Sequence, residues 1–170
     1  KNKLIYLKIN MTNNFKLSTE FAYLDAEYQN YTNAGCNAFQ QLVTPTGCFQ
    51  DLSGIAPPYA PDYSGTVSAN YTHPVSSSID FSGDIAFSYS GGYSLAPDND
   101  PVGRQDAWKK VDFRLALSGA EEDWSLAFIG KNIFNEKVFA TANDLVSSLG
   151  SYFATIERGR QFSLQVRYNW

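Results

Sequence analysis

RQFSLQVRYNW, residues Arg160–Trp170, is the last stretch of the sequence. Phe162, Leu164, Val166, Tyr168 and Trp170 fall at every second position, and Gln161, Ser163, Gln165, Arg167 and Asn169 fill the gaps. Successive strand side chains point to opposite faces, so this reads as a strand with one apolar and one polar face. The same alternation recurs up the chain. In Ser78–Ser90, Ile79, Phe81, Ile85, Phe87 and Tyr89 share a face with Gly83, while Asp80, Ser82, Asp84 and Ser88 share the other. In Lys110–Ser118, Val111, Phe113, Leu115 and Leu117 oppose Asp112 and Arg114. Trp124–Lys131, Tyr63–His73 and Phe15–Tyr31 repeat the pattern, and Lys3–Met11 carries a weaker form of it, which makes seven strands with the last.

The connections alternate in length. Met11–Asn14 (MTNN), His73–Ser77 (HPVSS) and Gly119–Asp123 (GAEED) are short and rich in turn formers. Thr32–Asp62, Gly91–Lys109 and 132–155 are long. Long connections at every other position place all three at one end of an up-and-down sheet. Within the third, Asn143 or Asp144 is expected to cap a helical turn at LVSSL, with Gly150 stopping it.

Composition narrows the class. The chain has 170 residues, which suits one domain, a net charge of −4 and only 18% charged residues, while aromatics reach 15%. No basic stripe exists, so nucleic acid is not an expected partner. No apolar run is long enough for a membrane-spanning helix. KNKLIYLKIN at the start lacks a small-residue cleavage site and is not read as a signal peptide. Cys36 and Cys48 lie close together in a loop, without the His or further Cys that a zinc site needs. A disulfide in an oxidising compartment is the expected state, with free thiols the alternative.

Alternation alone favours a soluble β-sandwich with its apolar face inward. Three features favour a membrane barrel. Trp and Tyr gather at strand ends, Trp124 and Trp170 at the short-turn end, Trp108 and Tyr89 at the other. Such belts form where an amphipathic ring meets the membrane interface. Loop lengths alternate as short periplasmic turns and longer extracellular loops do. Asp80, Asp84, Asp112, Arg114, Lys131 and Arg167 on the polar face suit a wet lumen. The mean hydropathy of −0.30 is compatible, because only half of each strand needs to be apolar. Backbone groups must all be paired in hydrocarbon, so such strands must close into a barrel. An odd set of seven does not suit that alone: the chain is expected to be part of a larger barrel, or one strand is miscounted.

Several stretches resemble the C-terminal third of TonB-dependent outer-membrane receptors. Ala22–Tyr28 (AYLDAEY), Leu52–Thr72 (LSGIAPPYAPDYSGTVSANYT), Trp108–Phe139 (WKKVDFRLALSGAEEDWSLAFIGKNIFNEKVF) and the terminal RGRQFSLQVRYNW carry the likeness in order. The match runs through nearly all of the chain after Asn14, although the last residue is Trp where Phe is commoner in the family. The resemblance implies an all-β, antiparallel, up-and-down transmembrane barrel of about 22 strands, of which residues 1–170 supply the C-terminal seven. It implies the bacterial outer membrane, with lipid and the barrel-assembly machinery as partners. It implies a plug and TonB box in the remainder of the same receptor, outside this sequence, and energy drawn from the TonB complex. The ligand would be a ferric siderophore, cobalamin or an oligosaccharide. Phe162, Leu164, Val166, Tyr168 and Trp170 would form the assembly signal. Ligand contacts would come from loop aromatics: Phe39, Phe49, Tyr59, Tyr93, Phe139, Tyr152 and Phe153. Packing of the loops on one another explains any one of these equally well.

Other chemistry is thin. His73 is the single histidine and precedes Pro74 in an expected turn, which disfavours a catalytic triad or an imidazole metal site. No Gly-rich phosphate loop follows a strand. Asp80 and Asp84 share a face, as solvated lumen residues would. Pro97–Pro101 (PDNDP) offers carboxylates but not the full pattern of a calcium loop. The sequons at Asn10, Asn30 and Asn70 carry no meaning in a bacterial membrane protein, and KNIFNE reads as a strand exit with Asn turn residues. No catalytic residue and no cofactor is expected. The competing readings are a small passive outer-membrane pore or structural barrel, and a soluble β-sandwich binding module; an enzyme comes last.

Overall fold

The computed structural model describes residues 2–44, 46–119, 121, 123–145, 148 and 151–169. Seven strands form one sheet: β1 (Asn2–Asn10), β2 (Phe15–Leu24), β3 (Tyr63–Ser76), β4 (Ile79–Ser90), β5 (Trp108–Gly119), β6 (Trp124–Lys131) and β7 (Gln161–Tyr168). Each pairs antiparallel with the next, and spatial order equals chain order. This is an up-and-down meander with β1 and β7 at its open edges.

The register keeps the two faces apart across all strands. One row runs Tyr71, Gly83, Leu115, Phe128 and Leu164, from β3 to β7. The neighbouring row on the opposite face runs Lys16, Asn70, Asp84, Arg114, Ile129 and Ser163. A slip of one residue would exchange the faces.

Val111 is buried, but much of the rest of the apolar face lies open. Leu115 is 44% exposed, Phe128 44%, and Leu164 67%. Most buried apolar residues lie instead in the connections, including Ala34, Cys36, Leu52, Leu95 and Val138. A soluble sandwich would put a second sheet on the apolar face, yet the other ladders among the described residues have two strands each and lie in the loops. Leaving such side chains in water forfeits roughly 1.5–3 kcal/mol each, so the face requires an apolar surrounding. At Gly130 the face closes over the backbone. A Cβ there would collide with the Phe113 ring, and the Phe113, Phe128 and Phe162 rings cluster around it with centroids 5.5–6.4 Å apart.

Three expectations change. HPVSS is not a turn: β3 continues to Ser76, so His73 and Pro74 are strand residues. Pairing with β2 stops at Tyr71, so Pro74, which lacks an N–H, removes no ladder bond on that side. Trp108 does not join an apolar belt. It pairs with Ser90 and borders a recess with Ser64, Thr66 and Ser88, on the polar face with Lys110. Asn143 and Asp144 cap no helix, because both lie in a strand, Phe139–Asp144, that pairs with Tyr152–Ile156. Leu145 and Ser151 continue that hairpin through a 2.9 Å backbone bond. Val146, Ser147, Leu149 and Gly150 fall outside the described residues, as does Trp170.

Candidate functional site

The three long connections meet at one end of the sheet. The first is built around a disulfide, Cys36–Cys48, with Cα atoms 5.7 Å apart. A two-residue ladder, Ala34–Gly35 with Phe49–Gln50, flanks the bridge. Inside the bridge lies a helix, α1 (Ala38–Val43). Asn37 and Gln40 form its capping box: Asn37 Oδ1 accepts from Gln40 N at 3.0 Å, and Gln40 Oε1 accepts from Asn37 N at 2.9 Å. The spacing Asn37-x-x-Gln40 was the signal for this helix, and sequence reasoning missed it. A helix this short is marginal alone, so the bridge and the cap together hold it.

The second connection carries the short ladder Tyr93–Ser94 with Arg104–Gln105. Within it, Asp98 Oδ1 accepts from Asp100 N, and Asp100 Oδ1 accepts from Val102 N at 2.8 Å. The third is the hairpin described above. Side chains join the three. Gln50 Nε2 donates to Asp98 O at 2.7 Å, Gln105 Oε1 accepts from Phe139 N at 2.7 Å, and Tyr152 Oη donates to Asp100 Oδ2 at 2.6 Å. Tyr59 N donates to Ser94 O at 2.9 Å, beside a Tyr59–Tyr93 ring contact at 6.1 Å.

An acidic cluster lies where the connections converge. Carboxylate oxygens of Asp98, Asp100 and Asp144 all fall within 4.8 Å of one another. Asp100 is 2% exposed. Oδ1 of Asp144 is buried without a hydrogen-bond partner among the described residues. Burial first, and the Asp98 carboxylate second, push the Asp144 carboxyl up to about 6, against the opposing pull of the Ala38 backbone N–H. Its hydrogen bond to Asp100 raises the Tyr152 phenol above its ordinary value, with burial adding to it. Asp98 and Asp100 belong to the PDNDP stretch. Asp144 had no local signal, because only the hairpin brings it to them.

The aromatic residues expected in the loops do not form one group. Phe39 and Tyr152 border the same groove. Tyr59 and Tyr93 pair elsewhere. Phe49, Phe139 and Phe153 are exposed, on separate short strands.

The polar face of the sheet forms a hollow of about 510 Å³ bordered by Lys16, Asn70, Asp84, Asp112, Arg114 and Lys131. Asn70 Nδ2 donates to Asp84 Oδ1 at 2.7 Å. Charges of both signs alternate here, which suits a wetted wall more than a binding site for one ion. Where β6 exits, Asn132 and Asn135 adopt left-handed backbone, with φ of 48° and 57°. Asn132 N donates to Asp112 Oδ1 at 2.7 Å, and Asn135 Oδ1 accepts from Arg160 N at 3.0 Å. KNIFNE is thus a turn that aligns the start of β7 beside β6. Lys110 pairs with Glu157 at the base of the third connection.

No family model and no curated protein matches this sequence. Solved structures do. The ferric yersiniabactin uptake receptor FyuA from Yersinia pestis superimposes with a TM-score of 0.73 at 16% identity, over 98% of this chain and 23% of that one. The siderophore receptor PiuA from Acinetobacter baumannii gives 0.69 at 18% identity, over 98% and 21%. The chain therefore spans less than a quarter of the length of these relatives. Its seven-stranded meander is similar in fold to a section of the β-barrel of siderophore receptors.

Proposed function

We propose that residues 1–170 form barrel wall and outer loops of a TonB-dependent receptor that takes up a ferric siderophore across the bacterial outer membrane. The superposition of 98% of the chain on two siderophore receptors is the observation that carries this reading. The bare apolar face supports a lipid environment, and the polar face a lumen occupied by water and by the plug of the same receptor. Open backbone groups at the edges of β1 and β7 cost several kcal/mol each in hydrocarbon, so further strands of the receptor pair there. Phe162, Leu164, Val166, Tyr168 and Trp170 serve as the signal read by the assembly machinery. The long connections face the cell exterior and present Phe39, Phe49, Tyr59, Tyr93, Phe139, Tyr152 and Phe153 toward an incoming ligand. The chain performs no bond chemistry; the TonB complex supplies the energy, through parts of the receptor outside this sequence.

The test is uptake by cells. A strain lacking the full-length receptor is grown without iron and offered a panel of radioiron-loaded siderophores. Accumulation of one of them should disappear, return with the complementing gene, and require TonB. An unchanged panel would overturn the siderophore reading, and a deficit in cobalamin or oligosaccharide uptake would redirect it.

A further inference from the structure

The second long connection is the hub of the loop end. From the first connection, Gln50 Nε2 donates to Asp98 O at 2.7 Å and Tyr59 N donates to Ser94 O at 2.9 Å. From the third, Phe139 N donates to Gln105 Oε1 at 2.7 Å and Tyr152 Oη donates to Asp100 Oδ2 at 2.6 Å. Three of the residues that accept these bonds are almost fully buried: Ser94 is 7% exposed, Asp100 2% and Gln105 4%. A small slide of one connection against another would leave such atoms unpaired before water could reach them, and an unpaired buried acceptor bears the full loss of its hydration.

Each connection is also closed on itself. The first has its disulfide and capped helix. In the second, Leu95 N donates to Gly103 O at 2.8 Å beside the Tyr93–Ser94 ladder. The third is fastened at its root, where Glu157 N donates to Val138 O and Asn132 Nδ2 donates to Glu136 O, both at 2.8 Å. Buried apolar side chains come from all three: Cys36 and Leu52, Leu95 and Ala96, Val138 and Ala142. Segments that open easily have few buried contacts and backbone bonds exposed to water. These connections show the opposite pattern.

Resting on the reading of these connections as the ligand-facing side, we infer that the three are locked into one body before any ligand arrives and form a fixed rim at the mouth of the barrel rather than a gate. A gate needs a connection that swings alone. A swing of the first or the third breaks two of the four bonds between connections, and a swing of the second breaks all four. A ligand can shift such a body only by binding the separated form better, and the buried pairings weigh against that form. Closure over a ligand, where it occurs, is therefore not made by these connections.

Two measurements on the full-length receptor test this. Cys36 and Cys48 are bridged to each other, so introduced cysteines are labelled without interference from them. Nitroxides are placed on one exposed residue of each connection, Leu42→Cys, Val102→Cys and Asn143→Cys, two at a time. In lipid nanodiscs without ligand, each pair should give a single distance peak no broader than the rotamers of the label allow. Gln50→Ala with Gln105→Ala, which removes one bond on each side of the hub, should broaden every peak. Two distances or a wide spread before that double substitution would overturn the inference, and so would peaks that it leaves unchanged. The second measurement asks whether motion is needed. Leu42 and Val102 border one groove, and a short bismaleimide can join cysteines at these two sites. Radioiron uptake by cells carrying the joined receptor should stay within twofold of uptake with the same two cysteines capped by N-ethylmaleimide. Loss of uptake with the bridge alone would show that the connections must separate, and would overturn the inference. The distances are read without ligand, so they decide the matter even if the siderophore panel shows no deficit.

Discussion

Tyr152 donates its hydroxyl hydrogen to Asp100 Oδ2 across 2.6 Å, and that bond joins the third long connection to the second. Asp100 is almost fully buried and already accepts from Val102 N, so the phenol completes the pairing of a carboxylate that burial would otherwise penalise. The register places Tyr152 opposite Asp144, so the same hairpin turn that positions the donor also carries the third carboxylate into the cluster. Removing the hydroxyl should loosen the hairpin from its neighbour without touching the sheet.

Tyr152→Phe is therefore expected to cost about 1.5–3 kcal/mol of local stability, the usual range for a hydrogen bond to a charged group. Hydrogen exchange in residues 139–156 should quicken, while the amides of β4 and β5 keep their protection. Unchanged exchange in the hairpin would remove the bond from any structural role.

The cluster also predicts a pH response. Asp144 carries a carboxyl raised to about 6 from an ordinary 3.8, chiefly by burial and by Asp98. When the connections separate, that carboxyl returns toward its ordinary value. The closed cluster therefore holds a proton that the open one releases. The extra stability is fully present below pH 3.8 and is lost as pH rises through about 6. Limited proteolysis of the loops should be slower at pH 5 than at pH 7.5. Asp144→Asn, which cannot ionise, should make the two rates alike.

Legibility in the sequence followed the range of the forces involved. The faces of β4 and β5 were readable because Phe81–Phe87 and Val111–Leu117 alternate strictly, and the observed register keeps every one of those assignments. Strand ends were less readable: Pro74 suggested a turn, yet β2 no longer pairs at that level, so the proline is tolerated within β3. Trp108 was assigned by its ring chemistry, although its even spacing from Lys110 and Asp112 already placed it on the polar face. The helix α1 was local and signalled by its capping box. The acidic cluster was not local. Asp98 and Asp144 are brought together only when two connections fold against each other, and nothing in either segment alone points to the other.

Facing can be tested on the terminal strand, where Leu164 and Gln165 are adjacent and both exposed. Leu164 lies in the apolar row beside Phe128, while Gln165 pairs with Ala127 on the polar side. In the full-length barrel that the proposed function implies, Leu164→Arg near mid-membrane should cost about 2–4 kcal/mol. Gln165→Arg should cost much less, because its charge enters water. Refolding into bilayers under urea reads both. A larger penalty at Gln165 would mean that the register is displaced by one residue and the faces are exchanged.

The disulfide gives the last expectation. Cys36 and Cys48 are separated by 12 positions, and Cys36 is almost fully buried. Closing a loop of this size contributes about 3 kcal/mol in the chain-entropy model. The helix inside it has six residues, too few to persist without that restraint. Cys36→Ser with Cys48→Ser should therefore melt α1 and expose residues 32–50 to proteases, while β1–β7 keep their pairing, because the bridge lies wholly within one connection. Proteolytic mapping of the reduced and oxidised protein separates the two regions directly. A cut pattern unchanged by reduction would show that the ladder at Ala34–Gly35 and the Gln50 contacts hold this connection without the bridge.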